Sequence, residues 1–389
     1  MSVLLRGSFN SGLSSPWFHR IGAAVRFRCE RDVLLDTVSS AGRATTARGS
    51  MPILGGIRMT VDEDRLTVTG TDIDLTITVA STVNGVEDGV AVAPARLITD
   101  IVRSLDPGAV TVEAEDDELH VTSGRSRFSV RTHQASDFPR IPVPPLDAAV
   151  SGIAGLSDAL RQVTRAASTE ETRPILTGVL IAAEGDGLRL VATDSYRLAM
   201  RDLPGISVLR EGQKVLIPSR ALNEVQRLLS SSSDVVNLRL GDHEATFEVG
   251  QVTLTTRLIE GDFPNYRALI PSDYPNRLVV GREALLDAIK RVKLLARDAT
   301  TPVRIALRPT SIELTVVTND WGAAVEEVDA KYDGSEMTVA FNPTYLIEGV
   351  EVVGGDEIAL DTLDALKPAT LRPVGSEDYL YLLMPVRIP

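Results

Sequence analysis

The sequence predicts an α+β protein built from three tandem copies of one domain. Three observations lead there: a set of anchors returns about every 125 residues, helical and alternating apolar periods follow one another inside each copy, and prolines gather where each copy ends. In the first copy Pro52 opens Pro-Ile-Leu, Asp72 closes Thr-Gly-Thr-Asp, Pro94 opens Pro-Ala-Arg-Leu and Pro139 closes Asp-Phe-Pro. Pro174, Asp194, Pro218 and Pro264 repeat these anchors 122 to 125 residues later, and a more diverged set, Pro302, Asp320, Pro343 and Pro385, follows after another 121 to 128. A period of that size is a domain, too long for a solenoid or propeller unit.

The punctuation sets the boundaries. Pro139, Pro142, Pro144 and Pro145 close the first copy, and Pro264, Pro271 and Pro275 the second, so the domains run 26–148, 149–275 and 276–389 with semi-rigid connections. Met1 to Val25 contains Arg6, Arg20, several serines and no acidic residue, and lacks the apolar core of a secretory signal. It is expected to be a poorly ordered extension or an over-called start.

Each copy should contain two helices and antiparallel strands. Leu156, Leu160, Val163 and Ala167 recur at helical spacing in a helix near 155–169, and Leu285, Ile289, Val292 and Ala296 do so near 281–298. Gly187 to Met200 alternates like two strands around a turn at Asp194 and Ser195. Pro94, Pro218 and Pro343 are expected in the first turn of the second helix of each copy, where a missing N–H costs least.

Composition narrows the class. Among 389 residues 43% are hydrophobic and mean hydropathy is near zero, as packed aliphatic cores require. No apolar run approaches the roughly 18 residues of a membrane helix. The single Cys29 fits a reducing cytoplasm, and His19, His120, His133 and His243 lie too far apart for a zinc motif, so neither metal nor cofactor is expected. A net charge of −13 argues against nucleic acid until the placement of the cations is considered. Arg161 and Arg165 lie one helical turn apart, and Lys290, Lys293 and Arg297 line one side of the helix near 281–298. In the second helices Arg96 and Arg103 recur as Arg220 and Arg227 at the same offsets from the proline, whereas the third copy has Tyr345 and Val352 there. Arg48 joins this set. A single such face is ordinarily solvated surface, but recurrence across repeats favours contact with phosphates, and the absence of base-reading residues makes that contact non-specific.

The sequence contains no phosphate-binding Gly-Lys-Ser/Thr loop, no Gly-x-Gly-x-x-Gly, no His-Glu-x-x-His and no Gly-x-Ser-x-Gly. Asp72, Asp194 and Asp320 are conceivable as a metal-binding carboxylate set, but each holds the same place in its own repeat, which favours a turn-forming aspartate at a strand end. No catalytic residue is assigned.

Met51-Pro-Ile-Leu-Gly-Gly56, Gly70-Thr-Asp72, Gly124-Arg-Ser-Arg-Phe128, Ala192-Thr-Asp194 with Arg197-Leu198, Asp262-Phe-Pro-Asn-Tyr-Arg267 and Met384-Pro-Val-Arg387 stand in order over residues 26 to 389. In this the chain resembles the β subunits of bacterial DNA polymerase III, the sliding clamps. The resemblance implies a head-to-tail dimeric ring of six similar domains, helices lining the hole and sheets forming the rim. Pairing of the first domain of one subunit with the third of the other would close it. It implies a processivity factor rather than an enzyme, with duplex DNA, a clamp-loader ATPase, polymerases and repair proteins as partners, the proteins binding through short linear peptides. The family's peptide pocket maps onto Arg173, Leu176, Thr193, Ser195, Tyr196, Arg197, Leu198, Pro264, Arg267, Leu269, Asn342, Tyr345, Pro368, Met384, Pro385 and Arg387. Arg173 and Arg197 are expected near its mouth. Ser195-Tyr196 replaces the Gly-His of many relatives and Ala268 takes an often basic position, which implies a shifted peptide preference. Whether the chain is the housekeeping clamp or a second, inhibitor-tolerant copy stays open, as do a metal-dependent nucleotide enzyme and a scaffold unrelated to DNA. Tyr379-Leu-Tyr-Leu-Leu-Met384 is expected as a strand with one side in the core and the other in the pocket.

Overall fold

The computed structural model describes residues 25–46, 51–115, 117–141, 150–231, 235–298 and 300–387. Residues 1–24 and Arg48 lie outside them. The chain forms two compact units, Met1–Pro142 and Val143–Pro389.

Six α-helices occur among the described residues: α1 (Arg31–Gly42), α2 (Ala95–Ser104), α3 (Leu156–Val163), α4 (Ser219–Ser231), α5 (Arg282–Val292) and α6 (Pro343–Val352). One order of elements recurs three times: a strand, a helix, three strands in hairpin succession, a fourth strand, a second helix and three closing strands. The first copy adds a short strand, Asn84–Glu87.

In the first unit, Asn84–Glu87, Val25–Glu30, Ala109–Glu115, Glu118–Ser123 and Ser126–Arg131 form one antiparallel sheet. Leu75–Thr82, Arg65–Thr71, Gly56–Asp62 and Gly89–Pro94 pair in a second. Helices α1 and α2 pack side by side, and Leu34, Val38, Ile98 and Val102 are almost wholly buried. Each helix thus turns an apolar stripe toward the core.

The two repeats of the second unit share a sheet. Arg197–Leu203 of the central repeat pairs antiparallel with Tyr379–Leu383 of the last, in the register Arg197↔Leu383 to Arg201↔Tyr379. Central and C-terminal repeats therefore fold as one body although each has its own helix pair. Leu156, Leu160, Val163 and Ala167 are buried as their spacing requires, and so are Leu285, Ile289, Val292 and Ala296.

Several helix limits differ from expectation. Helix α3 ends at Val163 and continues only as a 3-10 turn over Thr164–Ala166, where the Thr164 hydroxyl donates to the Leu160 carbonyl. Helix α5 ends at Val292, so Arg297 lies outside it. Pro343 occupies the first helical position, but Pro94 is the N-cap residue of α2 and Pro218 ends a strand. The carbonyls of Pro94 and Pro218 belong to residues still facing partner strands, opposite Gly56 and Gly178, so each helix starts one residue later. The terminal strand also differs. Tyr379 to Leu383 are all buried, so both of its sides are core, and exposure begins only beyond it, at Met384.

Candidate functional site

The site in the second unit grows from a turn. Thr193, at the end of Gly187–Thr193, uses its hydroxyl to donate to the Arg197 carbonyl (2.7 Å) and to accept from the Ser195 N–H (3.2 Å). Asp194 Oδ1 accepts from the N–H groups of Tyr196 (2.9 Å) and Arg197 (3.0 Å), while Ser195 takes a positive φ of 81°. Asp72 makes the same turn in the first repeat, accepting from the N–H groups of Asp74 and Leu75. These two aspartates are turn formers. In the third repeat the Thr318 hydroxyl accepts from Trp321 N–H instead.

The turn projects Tyr196 into solvent and Arg197 inward. Arg197 Nε donates to Asp194 Oδ2 at 3.0 Å, and its Nη1 donates to Glu348 and, at 3.2 Å, to the Tyr381 hydroxyl. The guanidinium lies 4.3 Å from the centre of the Tyr345 ring. Burial works against its charge, but Tyr381 and Glu348 outweigh burial and raise its pKa, so it stays cationic. Arg197 is thus a buried fixture, not a residue at the mouth. Arg173 does lie at the surface, bonded to Glu170 (2.7 Å) and reaching Ser195 Oγ (3.3 Å).

The other wall comes from α6 and the chain end. Asn342 caps α6 by accepting from the N–H groups of Thr344 and Tyr345, which aims Tyr345 at Tyr196; the rings stack with centroids 6.5 Å apart. Gly349 allows the Tyr381 ring to lie against α6, since a Cβ there would fall 2.5 Å from it. The Tyr381 hydroxyl donates to the Tyr345 carbonyl at 3.1 Å. Past the last strand, Met384 N–H donates to the Tyr196 carbonyl (2.9 Å) and Val386 N–H to the Ala340 carbonyl (2.7 Å). Pro385 is thereby held between these anchors, and Arg387 is exposed. Ala369 faces Leu383, so Pro368 sits one step further along, toward Met384.

The floor is apolar. Leu198 packs with Leu180, Val191, Leu380, Leu382 and Tyr266 in one buried cluster, and Leu176 is buried nearby in the 3-10 turn after Arg173. Tyr266 brings its own segment: Pro264 and Leu269 are exposed, and Arg267 is bonded to Glu184 while lying over the Tyr266 ring. Tyr196 at 58% and Met384 at 40% exposure present apolar surface beside this floor. Sequence reasoning missed Glu348 and Tyr381, because a helix position and a core strand carry no local mark of a partner 151 or 184 residues away.

The cationic positions are distributed differently. Arg96 and Arg103 flank Asp100 on α2, Arg161 pairs with Asp158 on α3, and Arg227 with Glu224 on α4, at 2.8–3.9 Å. Arg220 is exposed in the first turn of α4. Arg165 stands on the 3-10 turn after α3, and both it and Lys290 of α5 reach Glu351 of α6. Lys293 is the C-cap residue of α5. Arg297 leaves the stripe and lies 4.3 Å over the Trp321 ring. Among the described residues no group of His, Cys, Asp or Glu is arranged to hold a metal, and no helix is long and apolar enough to cross a membrane.

The chain is a triplicated α+β fold with cationic helix faces and exposed apolar side chains at a repeat junction. Models of the DNA polymerase III beta subunit match it throughout: the N-terminal domain over residues 25–142, the central domain over 153–265 and the C-terminal domain over 267–387. It is 33% identical to the beta sliding clamp of Streptomyces coelicolor, covering 94% of this chain and all of that one, and 33% identical to that of Synechocystis, covering 92% and 98%. Solved structures agree. The sliding clamp of Bacillus subtilis superposes with a TM-score of 0.86 at 29% identity, covering 94% of this chain and 100% of that one. The clamp of C. crescentus gives 0.87 at 30%, covering 95% and 100%. The chain belongs to the DNA polymerase III beta-subunit family, the non-catalytic processivity factors of DNA replication called beta sliding clamps.

Proposed function

We propose that two copies of this chain close a head-to-tail ring around duplex DNA, meet its phosphates without reading sequence, and tether polymerases and repair proteins by short peptides bound in the Tyr196–Met384 cleft. The repeats proposed are 26–148, 149–275 and 276–389, and the setting is the cytoplasm. The observation carrying this reading is the joint inside the second unit. It pairs the third hairpin strand of the central repeat, Arg197–Leu203, with the last strand of the C-terminal repeat, Tyr379–Leu383. The corresponding strands elsewhere are Gly322–Asp333 of the last repeat and Ser126–Arg131 of the first. Ser126–Arg131 is the edge of its sheet, and residues 322–329 have a strand on one side only among the described residues. Two copies can pair these edges by repeating the same joint, twice, into a closed ring. Their charges suit it: Arg125, Arg127 and Arg131 are exposed on and beside one strand, Glu327 and Asp329 on the other.

In such a ring Arg96, Arg103, Arg161, Arg165, Arg220, Arg227, Lys290 and Lys293 supply the phosphate contacts, Arg48 and Arg297 adding to them. A clamp-loader ATPase supplies the energy for opening. Enclosure replaces tight binding, so the decisive experiment is topological. The loaded protein should remain on closed circular DNA and slide off once the circle is cut; equal loss from both would remove the ring. Light scattering should give about twice the 41.9 kDa chain mass.

A second reading, an inhibitor-tolerant second copy, rests on Tyr196, whose ring stacked on Tyr345 fills space at the cleft. One clamp similar to this chain, that of Pseudomonas aeruginosa, was solved bound to griselimycin. Titration with that compound tests the reading: tight binding here would reject tolerance.

A further inference from the structure

Helix α6 carries a carboxylate one residue before the position that is cationic in the other repeats. Glu351 precedes Val352, the position that is Arg103 and Arg227 in the other repeats. Its Oε2 accepts from Arg165 Nη1 at 3.0 Å, and its Oε1 lies 3.3 Å from Lys290 Nζ. One carboxylate therefore holds one cation from the central repeat and one from the last, an oxygen for each. The place is built, since Gln162 Nε2 of α3 donates to the Val352 carbonyl at 3.0 Å and fixes the end of α6 against α3. It is also accessible, with the side chains of Arg165, Lys290 and Glu351 exposed by 38, 48 and 32%.

Two anionic oxygens on one centre, each meeting a separate cation, is also how a backbone phosphate presents its non-bridging oxygens. We propose that Glu351 is an internal stand-in for a DNA phosphate: it keeps Arg165 and Lys290 oriented for phosphate and competes with the duplex for them. Partial burial pulls the Glu351 carboxyl upward, but the bonds from Arg165 and Lys290 outweigh it and lower its pKa, so the competitor is ionised at neutral pH. Exchange of one charge-assisted pair for another has little net gain, so the enclosed duplex is held loosely at this point and can move. The inference rests on the proposal that these faces meet DNA.

The test is a salt series of the full-length protein binding a short fluorescent linear duplex. Glu351→Gln should bind roughly tenfold tighter at low salt, with the salt dependence of log K steeper by about 0.9 for each further phosphate that the freed cations neutralise. Adding Arg165→Gln and Lys290→Gln to that variant should return affinity and slope to the wild-type values. The same two substitutions in the wild-type protein should cost less than about twofold, because their cations are already engaged. Unchanged or weaker binding by Glu351→Gln overturns the proposal, as does a tenfold loss on neutralising Arg165 and Lys290 in the wild type, a measurement that does not depend on the Glu351 variant folding. Reversal of Arg161 and Lys293, neither of which is bonded to Glu351, separates the two levels. If it leaves duplex binding unchanged, the reading of the helix faces has failed; if it weakens binding while Glu351→Gln does nothing, only the role of Glu351 has.

Discussion

The cleft and the helix faces use arginine in opposite ways. In the cleft, Arg197 is buried, bonded to Asp194, Glu348 and the Tyr381 hydroxyl and covered by the Tyr345 ring. On the helix faces, Arg96, Arg103, Arg161 and Arg227 are exposed or partly so and meet acids on the same helix three or four residues away. The first arrangement fixes one geometry at the expense of desolvation, whereas in the proposed ring the second lets a cation exchange its neighbour for a phosphate at little cost. The proposed ring, recognising peptide motifs yet slipping along any sequence, needs both, kept on different elements.

The sharpest way to break this comparison is to remove the wall of the cleft. Beyond the last core strand, the segment removed by deleting 384–389 includes the exposed Met384 and the two backbone anchors to Tyr196 and Ala340. Their deletion should abolish binding of a polymerase tail peptide, expected at micromolar strength or about −8 kcal/mol, and leave the dimer intact. Titration of a labelled peptide against intact and truncated protein decides it, and equal affinities would put the partner site elsewhere.

Arg197→Ala tests whether the cleft arginine is structural support. It would leave Asp194 and Glu348 without their cation in a poorly hydrated place, for a loss of about 3 to 5 kcal/mol in unfolding stability. Arg197→Lys should recover only part, since an ammonium cannot span the same partners with a planar fork. Urea unfolding of the three proteins measures both, and a loss below about 1 kcal/mol for the alanine variant would make Arg197 equivalent to the helix arginines.

Much of this contrast is legible in the sequence, and the rest is not for identifiable reasons. The repeat, the buried stripes of α3 and α5 and the hairpin turning at Asp194 follow from local periods and turn chemistry, which a single segment records. Sequence spacing carries the ends of α3 and α5 too far along, because the apolar period continues through Ala167 and Ala296 after the α-helical hydrogen bonding has given way to tighter turns. Alternation in the terminal strand suggests one side free for the pocket. Its burial on both sides comes from α6 and the central repeat closing over it, and no alternation within six residues reports that. The expectation of Arg197 at the mouth fails for a related reason, since its partner Glu348 arrives from another repeat. Glu351 likewise draws Arg165 and Lys290 together across repeats, which no reading of one helix at a time contains.

A smaller effect should come from Tyr196. Its ring is exposed and its side chain makes no hydrogen bond among the described residues, so its replacement by alanine removes the stack on Tyr345 and one apolar wall while sparing the turn, which rests on backbone bonds to Asp194. The stack contributes about 0.5 to 1.5 kcal/mol, so stability should fall by no more than that, while peptide affinity should fall several-fold with the lost apolar wall. Tighter peptide binding by Tyr196→Ala would mean instead that the ring obstructs the cleft.

The smallest change in folding should follow the double reversal Arg161→Glu with Lys293→Glu. Among the described residues Arg161 has only the exposed Asp158 as ion partner and Lys293, ending α5, has none. Exposed pairs of this kind contribute about 0 to 1 kcal/mol, so the melting temperature should move little. Arg165 and Lys290 are unsuitable for the same comparison, because a glutamate at either would face Glu351 and add like-charge repulsion to whatever DNA contact was lost. Retention on DNA should respond quite differently from melting. Each reversed residue removes a cation from the phosphates and puts an anion in its place, and the loss should be greatest at low salt, where counterion release is most favourable. A variant that melts normally and is still loaded and retained like the wild type would show these faces to be solvated surface only. A variant that loses both retention and stability would show that the helix cations, like Arg197, are part of the frame.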